Sequence, residues 1–254
     1  LDETEVWSRT IGAFVVFTAA AGATYLVNDA ADVAIDRLHP TKRHRPVASG
    51  ALSRHAALRL GVALAVASVI AAMAIAGLFG LVIVIDLALN GWYSRGMKHL
   101  PVVELAAIAL GFILRAVGGG AATDTGLSLW FVLVVCAASL FVVTGKRSAE
   151  LARTGRNGGR QVLAHYTPSG LRTARAVSGA TAVVAYSVWV FAQDLANSLL
   201  AGLSLVPFAA ALARYSFVIE SGRGEDPEDV LLGDLPFQLL GAAWLVVYGV
   251  GLYG

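Results

Sequence analysis

Long apolar runs separated by polar stretches set the plan of this chain. Eight of the runs read as helices, over 7–27, 56–77, 79–93, 102–119, 127–144, 174–191, 199–215 and 237–253. Each approaches the roughly 20 residues an α-helix needs to cross a bilayer. None shows the alternation of a half-buried strand, and helices satisfy their own backbone, as lipid requires. The pattern predicts an all-α polytopic membrane protein, with 1–254 forming a single domain. Small residues recur in the spans, as in Ala19-Ala20-Ala21-Gly22-Ala23 and Gly118-Gly119-Gly120, and let helices approach closely.

The connections alternate in character. Those after the first, third, fifth and seventh spans (30–54, 94–101, 145–175 and 214–234) are polar and mostly long, and the links between them are short. Every Lys and Arg except Arg9 and Arg115 falls in or beside the polar set, so the positive-inside rule puts these connections in the cytoplasm. Composition agrees: 57% hydrophobic and 14% charged residues exclude an ordinary soluble domain. The one cysteine, Cys136, rules out an intrachain disulfide and reads as a buried, inert thiol. The chain opens Leu1-Asp2-Glu3, with neither an initiator Met nor the basic start of a signal peptide, which suggests that residues of the natural protein precede it.

The densest chemistry follows the first span. Asp29, Asp32 and Asp36, at i, i+3 and i+7, would share one helix face within an arc of about 60°. Stacked like charges repel, and Asn28 adds a neutral oxygen, so the stripe invites a cation. Magnesium takes one or two carboxylates and completes its shell with water and phosphate oxygens; no Cys/His spacing argues for zinc. Lys42 and Arg45, between Pro40 and Pro46, offer a point charge and a planar fork to phosphate. A solvated acidic helix end is the plainer alternative, and so much charge beside an apolar span argues against it.

Further clusters lie on the same side. Tyr93 opens a stretch that includes Lys98, with Glu104 one turn into the next span. Lys146 and Arg147, with Glu150 three residues on, suit a phosphate clamp or, more simply, snorkelling bases. Arg115 and Asp86 lie within spans, with Asn90 on the face of Asp86, and can form an ion pair. The acids from Glu225 to Asp229, with Asp234, are open to three roles: sugar hydroxyls, a second metal, or pairing with basic loops. Arg153, Arg156 and Arg160 stand in a glycine-rich stretch that reads as a mobile loop. No histidine pair, nucleophilic triad or phosphate-binding glycine loop appears.

Asn28-Asp29-x-x-Asp32-x-x-x-Asp36, then Lys42-x-x-Arg45-Pro46 and Ser49-Gly50, resembles the UbiA-type superfamily of intramembrane prenyltransferases. The resemblance implies a UbiA-like bundle of about nine helices, of which eight are visible and an N-terminal one precedes this numbering. It also implies a Mg2+-bound diphosphate in a cavity facing the cytoplasm of the bacterial plasma membrane. Members that use prenyl diphosphates carry a second Asp-rich motif, where this chain reads Gly145-Lys146-Arg147-Ser148-Ala149-Glu150. That departure, with His39-Pro40-Thr41-Lys42, Lys98-His99 and Leu114-Arg115-Ala116, is similar to the branch that moves 5-phosphoribose from 5-phosphoribosyl 1-diphosphate (PRPP) to decaprenyl phosphate. By that resemblance Asp29, Asp32 and Asp36 are catalytic and, with Asn28, hold the metal. Asn28, Lys42, Arg45, Tyr93, Lys98, Glu104, Arg115, Lys146, Arg147 and Glu150 are candidates for the substrates. The expected partners are PRPP, a polyprenyl phosphate and the bilayer; no nucleic acid is expected, and a homo-oligomer is left open. The alternatives are a prenyltransferase acting on an aromatic or other acceptor and a polyprenyl-phosphate transporter.

Overall fold

A computed structural model describes residues 2–38, 42–96, 100–156, 161–193, 196–222 and 227–253. Among them the regular structure is helical: α1 (Glu3–Ala31), α2 (Val33–Asp36), α3 (Pro46–Ser49), α4 (Arg54–Ile75), α5 (Gly77–Arg95), α6 (Val103–Thr123), α7 (Leu129–Thr154), α8 (Pro168–Phe191), α9 (Ser198–Leu203), α10 (Leu205–Glu220), α11 (Pro227–Gly233) and α12 (Leu235–Tyr253). Eight segments are long and apolar enough to cross a membrane, and they match the eight predicted spans. Polar side chains start several of them: Asp2, Ser53, Ser128 and Thr167 each accept a hydrogen bond from a first-turn backbone N–H of α1, α4, α7 and α8.

Most helix ends differ from expectation by a few residues, as where α8 begins at Pro168 instead of 174, and two differences have larger consequences. The apolar pattern ends the fifth span at 144, yet α7 continues to Thr154, so the Gly145–Glu150 cluster is helical. Its bases and acids continue the helix because long straight side chains cost little in helical form. The seventh span is divided at Ser204, which separates α9 from α10.

The chain forms two compact units, Leu1–Met97 with Leu114–Gly126, and Lys98–Ile113 with Leu127–Gly254. In the first, α1 packs along α4 and α4 along α5. Ala13, Val16 and Ala20 meet Ala72, Phe79, Ile83 and Ala122 in its core. Small residues set the spacing: a Cβ on Gly61 of α4 would come within 2.9 Å of Val27 and 3.2 Å of the Ala23 carbonyl of α1. In the second unit α7 and α8 form the longest contact, and α12 packs against α9 and α10. An aromatic cluster closes around the α9–α10 break. The Tyr186 hydroxyl lies 2.7 Å from the buried Ser204 Oγ and accepts from Trp244 Nε1 at 2.7 Å, and Trp189 stacks on Tyr248.

Candidate active site

In the first unit, α1 reaches far enough to carry Asn28 and Asp29 in its last turn, and then it breaks. Asp32 leaves helical geometry (φ −92°, ψ 7°) and α2 restarts at Val33. The expected single helical stripe is therefore corrected to a helix end, a hinge at Asp32 and a second short helix ending at Asp36. Aspartate is a poor interior helix residue because its carboxylate competes for nearby backbone groups, and three stacked carboxylates add repulsion. Backbone bonds nevertheless carry across the hinge, from Asp32 N to the Asn28 carbonyl (2.8 Å) and from Asp36 N to the Asp32 carbonyl (2.9 Å). Asp36 ends up 2% exposed.

The basic segment is positioned by proline and glycine. A residue before proline is driven to extended backbone, and Arg45, before Pro46, has φ −60° and ψ 146°. Pro46 then starts α3, and Gly50 ends it in the left-handed region at φ +87°. Val47 is buried with Ala30 and Ala57. Arg37 Nε donates to the Ala48 carbonyl (3.1 Å) and Arg54 Nε to the Ala30 carbonyl (3.0 Å), which ties α3 to the end of α2 and α4 to the end of α1. Arg37 and Arg54 were not singled out from sequence, since a bond to a backbone carbonyl has no motif. Held in this way, Arg45 donates through a single nitrogen, Nη1, to Asp29 Oδ1 (2.9 Å) and Asp36 Oδ2 (3.0 Å). Lys42 stands half-buried in the 3-10 turn Lys42–His44, and Tyr93 is half-buried in the last turn of α5.

Two carboxylates from different elements thus converge on one positive nitrogen. Among the described residues no group of three His, Cys, Asp or Glu side chains stands close enough to hold a metal alone. Magnesium asks for less, since one or two carboxylates suffice where water and phosphate oxygens fill the remaining positions. Asp29 and Asp36 fit that donor set.

Farther along the same unit, Asp86 is 1% exposed and Asn90 Nδ2 donates to its Oδ2 at 3.2 Å. Arg115 is near enough to act on Asp86 electrostatically, while Asp86 Oδ1 has no hydrogen-bond partner among the described residues. Arg115 also lines a groove of about 520 Å³ with Phe14, Phe17, Ala21, Gly119 and Thr123.

In the second unit, Arg147 lies in a buried ion network. Its Nε donates to Glu104 Oε1 (2.8 Å), its Nη2 to Glu104 Oε2 (2.9 Å) and its Nη1 to Glu150 Oε2 (2.6 Å). The Arg147 side chain is 1% exposed and that of Glu104 is 0% exposed. The guanidinium expected to meet a phosphate is thus engaged inside the protein, while its neighbour Lys146 is half-buried. Gly145 makes the site possible, because a Cβ there would stand 2.7 Å from the Tyr215 ring.

Sequence reasoning missed Tyr166. Its hydroxyl donates to Glu104 Oε1 (3.3 Å) and accepts from Val102 N (3.0 Å). Val102 has φ +66°, a strained conformation for a β-branched residue, so this bond supports an unfavourable turn. Burial first, opposed by the Val102 N–H and reinforced by the charge of Glu104, pushes the phenol above its ordinary range and keeps it protonated. A tyrosine in a polar connection gives no periodic signal, and only its partners reveal it.

Asp234 takes the third of the roles left open for the acidic segment. Arg214 grips it with a fork, Nε to Oδ1 (2.9 Å) and Nη2 to Oδ2 (2.8 Å), and Asp234 Oδ1 also accepts from Phe237 N (2.9 Å) at the start of α12. Cys136, expected to be buried, is half-exposed on α7. Lys98, Glu225, Asp226, Pro40 and the glycine-rich residues 157–160 lie outside the described residues.

The model of the UbiA prenyltransferase family matches residues 2–250. The decaprenyl-phosphate phosphoribosyltransferase of Mycobacterium tuberculosis (strain H37Rv) is 40% identical over 253 residues, covering 99% of this chain and 84% of that protein. The Corynebacterium glutamicum protein of the same name is 41% identical over 250 residues, covering 95% of this chain and 75% of that protein. Among solved structures, a UbiA homolog from Archaeoglobus fulgidus bound to DMAPP and Mg2+ has a TM-score of 0.72 at 18% identity, covering 96% of this chain and 87% of that one, which is a likeness of fold. A helical membrane architecture, an interrupted Asp motif at the end of a span and a match along nearly the whole sequence therefore agree: the chain belongs to the UbiA prenyltransferase family.

Proposed function

We propose that this integral membrane protein transfers 5-phosphoribose from PRPP to a polyprenyl phosphate such as decaprenyl phosphate. The products are pyrophosphate and a lipid-linked pentose phosphate suited to building cell-wall arabinan. The observation that carries this reading is the likeness of nearly the whole chain to the mycobacterial and corynebacterial phosphoribosyltransferases. Lys146 agrees with it, because PRPP brings a 5-phosphate besides its diphosphate and needs more positive charge than a prenyl diphosphate, whereas Arg147 is held by Glu104 and Glu150. We place the site on the cytoplasmic side of a bacterial plasma membrane on the charge bias of the polar connections. All of 1–254 then acts as a single catalytic domain.

Magnesium, held by Asp29 and Asp36 with Asn28 and Asp32 adjoining, would supply charge neutralisation on the diphosphate. The residues of the chain do the rest. Lys42 and Arg45 bind diphosphate oxygens as negative charge grows on the leaving group. Lys98 and Lys146 are candidates for the remaining phosphate, with Tyr93 near Lys98 in sequence. Arg147, Glu104 and Glu150 act through the α7 turn that they fix. Arg115 is a candidate contact for the acceptor. The acceptor phosphate oxygen attacks C1 of the ribose as the bond from C1 to the pyrophosphate oxygen breaks. The nucleophile is already anionic, so no general base is required.

Purified protein given radiolabelled PRPP, decaprenyl phosphate and magnesium should yield labelled lipid and pyrophosphate. No labelled lipid at any magnesium concentration, or turnover of a prenyl diphosphate in place of PRPP, would overturn the proposal.

A further inference from the structure

The arginines that meet carboxylates do so in different ways, and Arg9 and Arg175 each put one nitrogen on one oxygen. Arg147 meets Glu104, and Arg214 meets Asp234, with two nitrogens on two oxygens of one carboxylate, the geometry of a lasting structural pair. Arg45 is different. It spreads one nitrogen over two carboxylates from separate elements, and its side chain is 42% exposed. Among the described residues no hydrogen bond engages its Nε or Nη2.

We propose that Arg45 competes with the divalent cation for Asp29 and Asp36, and that metal binding turns its guanidinium onto the diphosphate. This rests on the function proposed above, which supplies the diphosphate. A magnesium ion sits about 2.0–2.1 Å from its oxygen ligands. An ion held by both carboxylates would lie against Nη1, which is itself within 3.0 Å of both. Two cations cannot share that point. The displaced side chain stays close, because its backbone is fixed: Pro46 restricts Arg45, Val47 and Ala48 are buried, and Leu52 N holds the Pro46 carbonyl at 2.9 Å. Only the side chain moves, and the nearest new acceptors are oxygens of the diphosphate that completes the metal shell. Metal and diphosphate then bind cooperatively, each raising the affinity of the other by the same factor.

The test uses the full chain in detergent with Mn2+ alone as probe, its free concentration read by electron paramagnetic resonance. Arg45→Gln should bind Mn2+ on the order of tenfold tighter than wild type without PRPP. Arg45→Lys, which keeps the charge, should bind like wild type, and PRPP should tighten Mn2+ binding more in wild type than in Arg45→Gln. Equal or weaker Mn2+ binding by folded Arg45→Gln, tight binding by Arg45→Lys, or no Mn2+ binding by any of the proteins would overturn the inference. Tighter binding by Arg45→Gln with no response to PRPP in any protein would support the competition and overturn PRPP as the donor.

Discussion

Replacing Glu104 by Ala strands a guanidinium in the interior. In the native protein Arg147 gives two of its nitrogens to Glu104 and one to Glu150, and neither the Arg147 nor the Glu104 side chain is more than 1% exposed. Removing one partner of a buried pair costs about 3–5 kcal/mol, because the other charge stays desolvated. Glu150, at 17% side-chain exposure, remains as a counter-charge and pulls the cost toward the lower figure. Loss of the longer Tyr166 contact at 3.3 Å adds a fraction of a kcal/mol. For a chain of this length, about 3 kcal/mol corresponds to a fall in melting temperature on the order of 10 °C, which a fluorescence melt in detergent resolves. The double variant Glu104→Leu with Arg147→Met removes both charges at similar volume and should recover most of the loss. A Glu104→Ala melt within about 2 °C of wild type, or a double variant no more stable than Glu104→Ala, would refute the reasoning.

Asp29→Asn and Asp36→Asn should each lower turnover by at least about a hundredfold, with melting changed by only a few degrees; full activity in either would remove that residue from the site. Tyr166→Phe leaves the Val102 N–H without a partner, while Glu104 Oε1 keeps Arg147 Nε, and should cost about 1–2 kcal/mol, measured by the same melt. Because the phenol is pushed above its ordinary value in the fold, its contribution is complete below about pH 10 and is lost as pH rises from there through the folded-state value. The gap between wild type and Tyr166→Phe should therefore be flat from about pH 6 to 9 and narrow above about 10. Arg115→Leu removes the positive charge acting on the buried Asp86, leaves it the Asn90 amide, and should destabilise the protein by about 1–2 kcal/mol, and adding Asp86→Asn should restore part of it.

The eight spans were legible because each is a long apolar run with no other use. Boundaries were legible only where polarity and helix end coincide. At 145 they do not: polarity begins at Lys146, but nothing in Lys146-Arg147-Ser148-Ala149-Glu150 opposes helix, so α7 continues to Thr154. The reverse holds at Asp32, where three acids at helical spacing suggested one face and local backbone competition produced a hinge. Ser204 is a third case, an apolar run broken where a buried hydroxyl meets Tyr186. Residue type therefore located the charged motif, while the conformation of Arg45, the strain at Val102 and the partners of Tyr166 emerged only from tertiary contacts.

The pair Lys146-Arg147 shows why a basic cluster has no single meaning. Neighbours on a helix point about 100° apart, so two adjacent cations cannot share an environment. A guanidinium is weakly hydrated and forks onto a carboxylate, whereas an ammonium is a strongly hydrated point charge. Arg147 accordingly turns inward to Glu104 and Lys146 takes the less buried position. Exchanging the two would bury the ammonium against Glu104 without a fork and expose the guanidinium. The order Lys then Arg thus assigns fixation of α7 to Arg147 and leaves Lys146 as the member of the pair that suits a phosphate. On that account an activity loss in Arg147→Lys tracks the fall in melting temperature, while Lys146→Gln raises the KM for PRPP at unchanged stability, and a stable, inactive Arg147→Lys would place the guanidinium on the substrate instead.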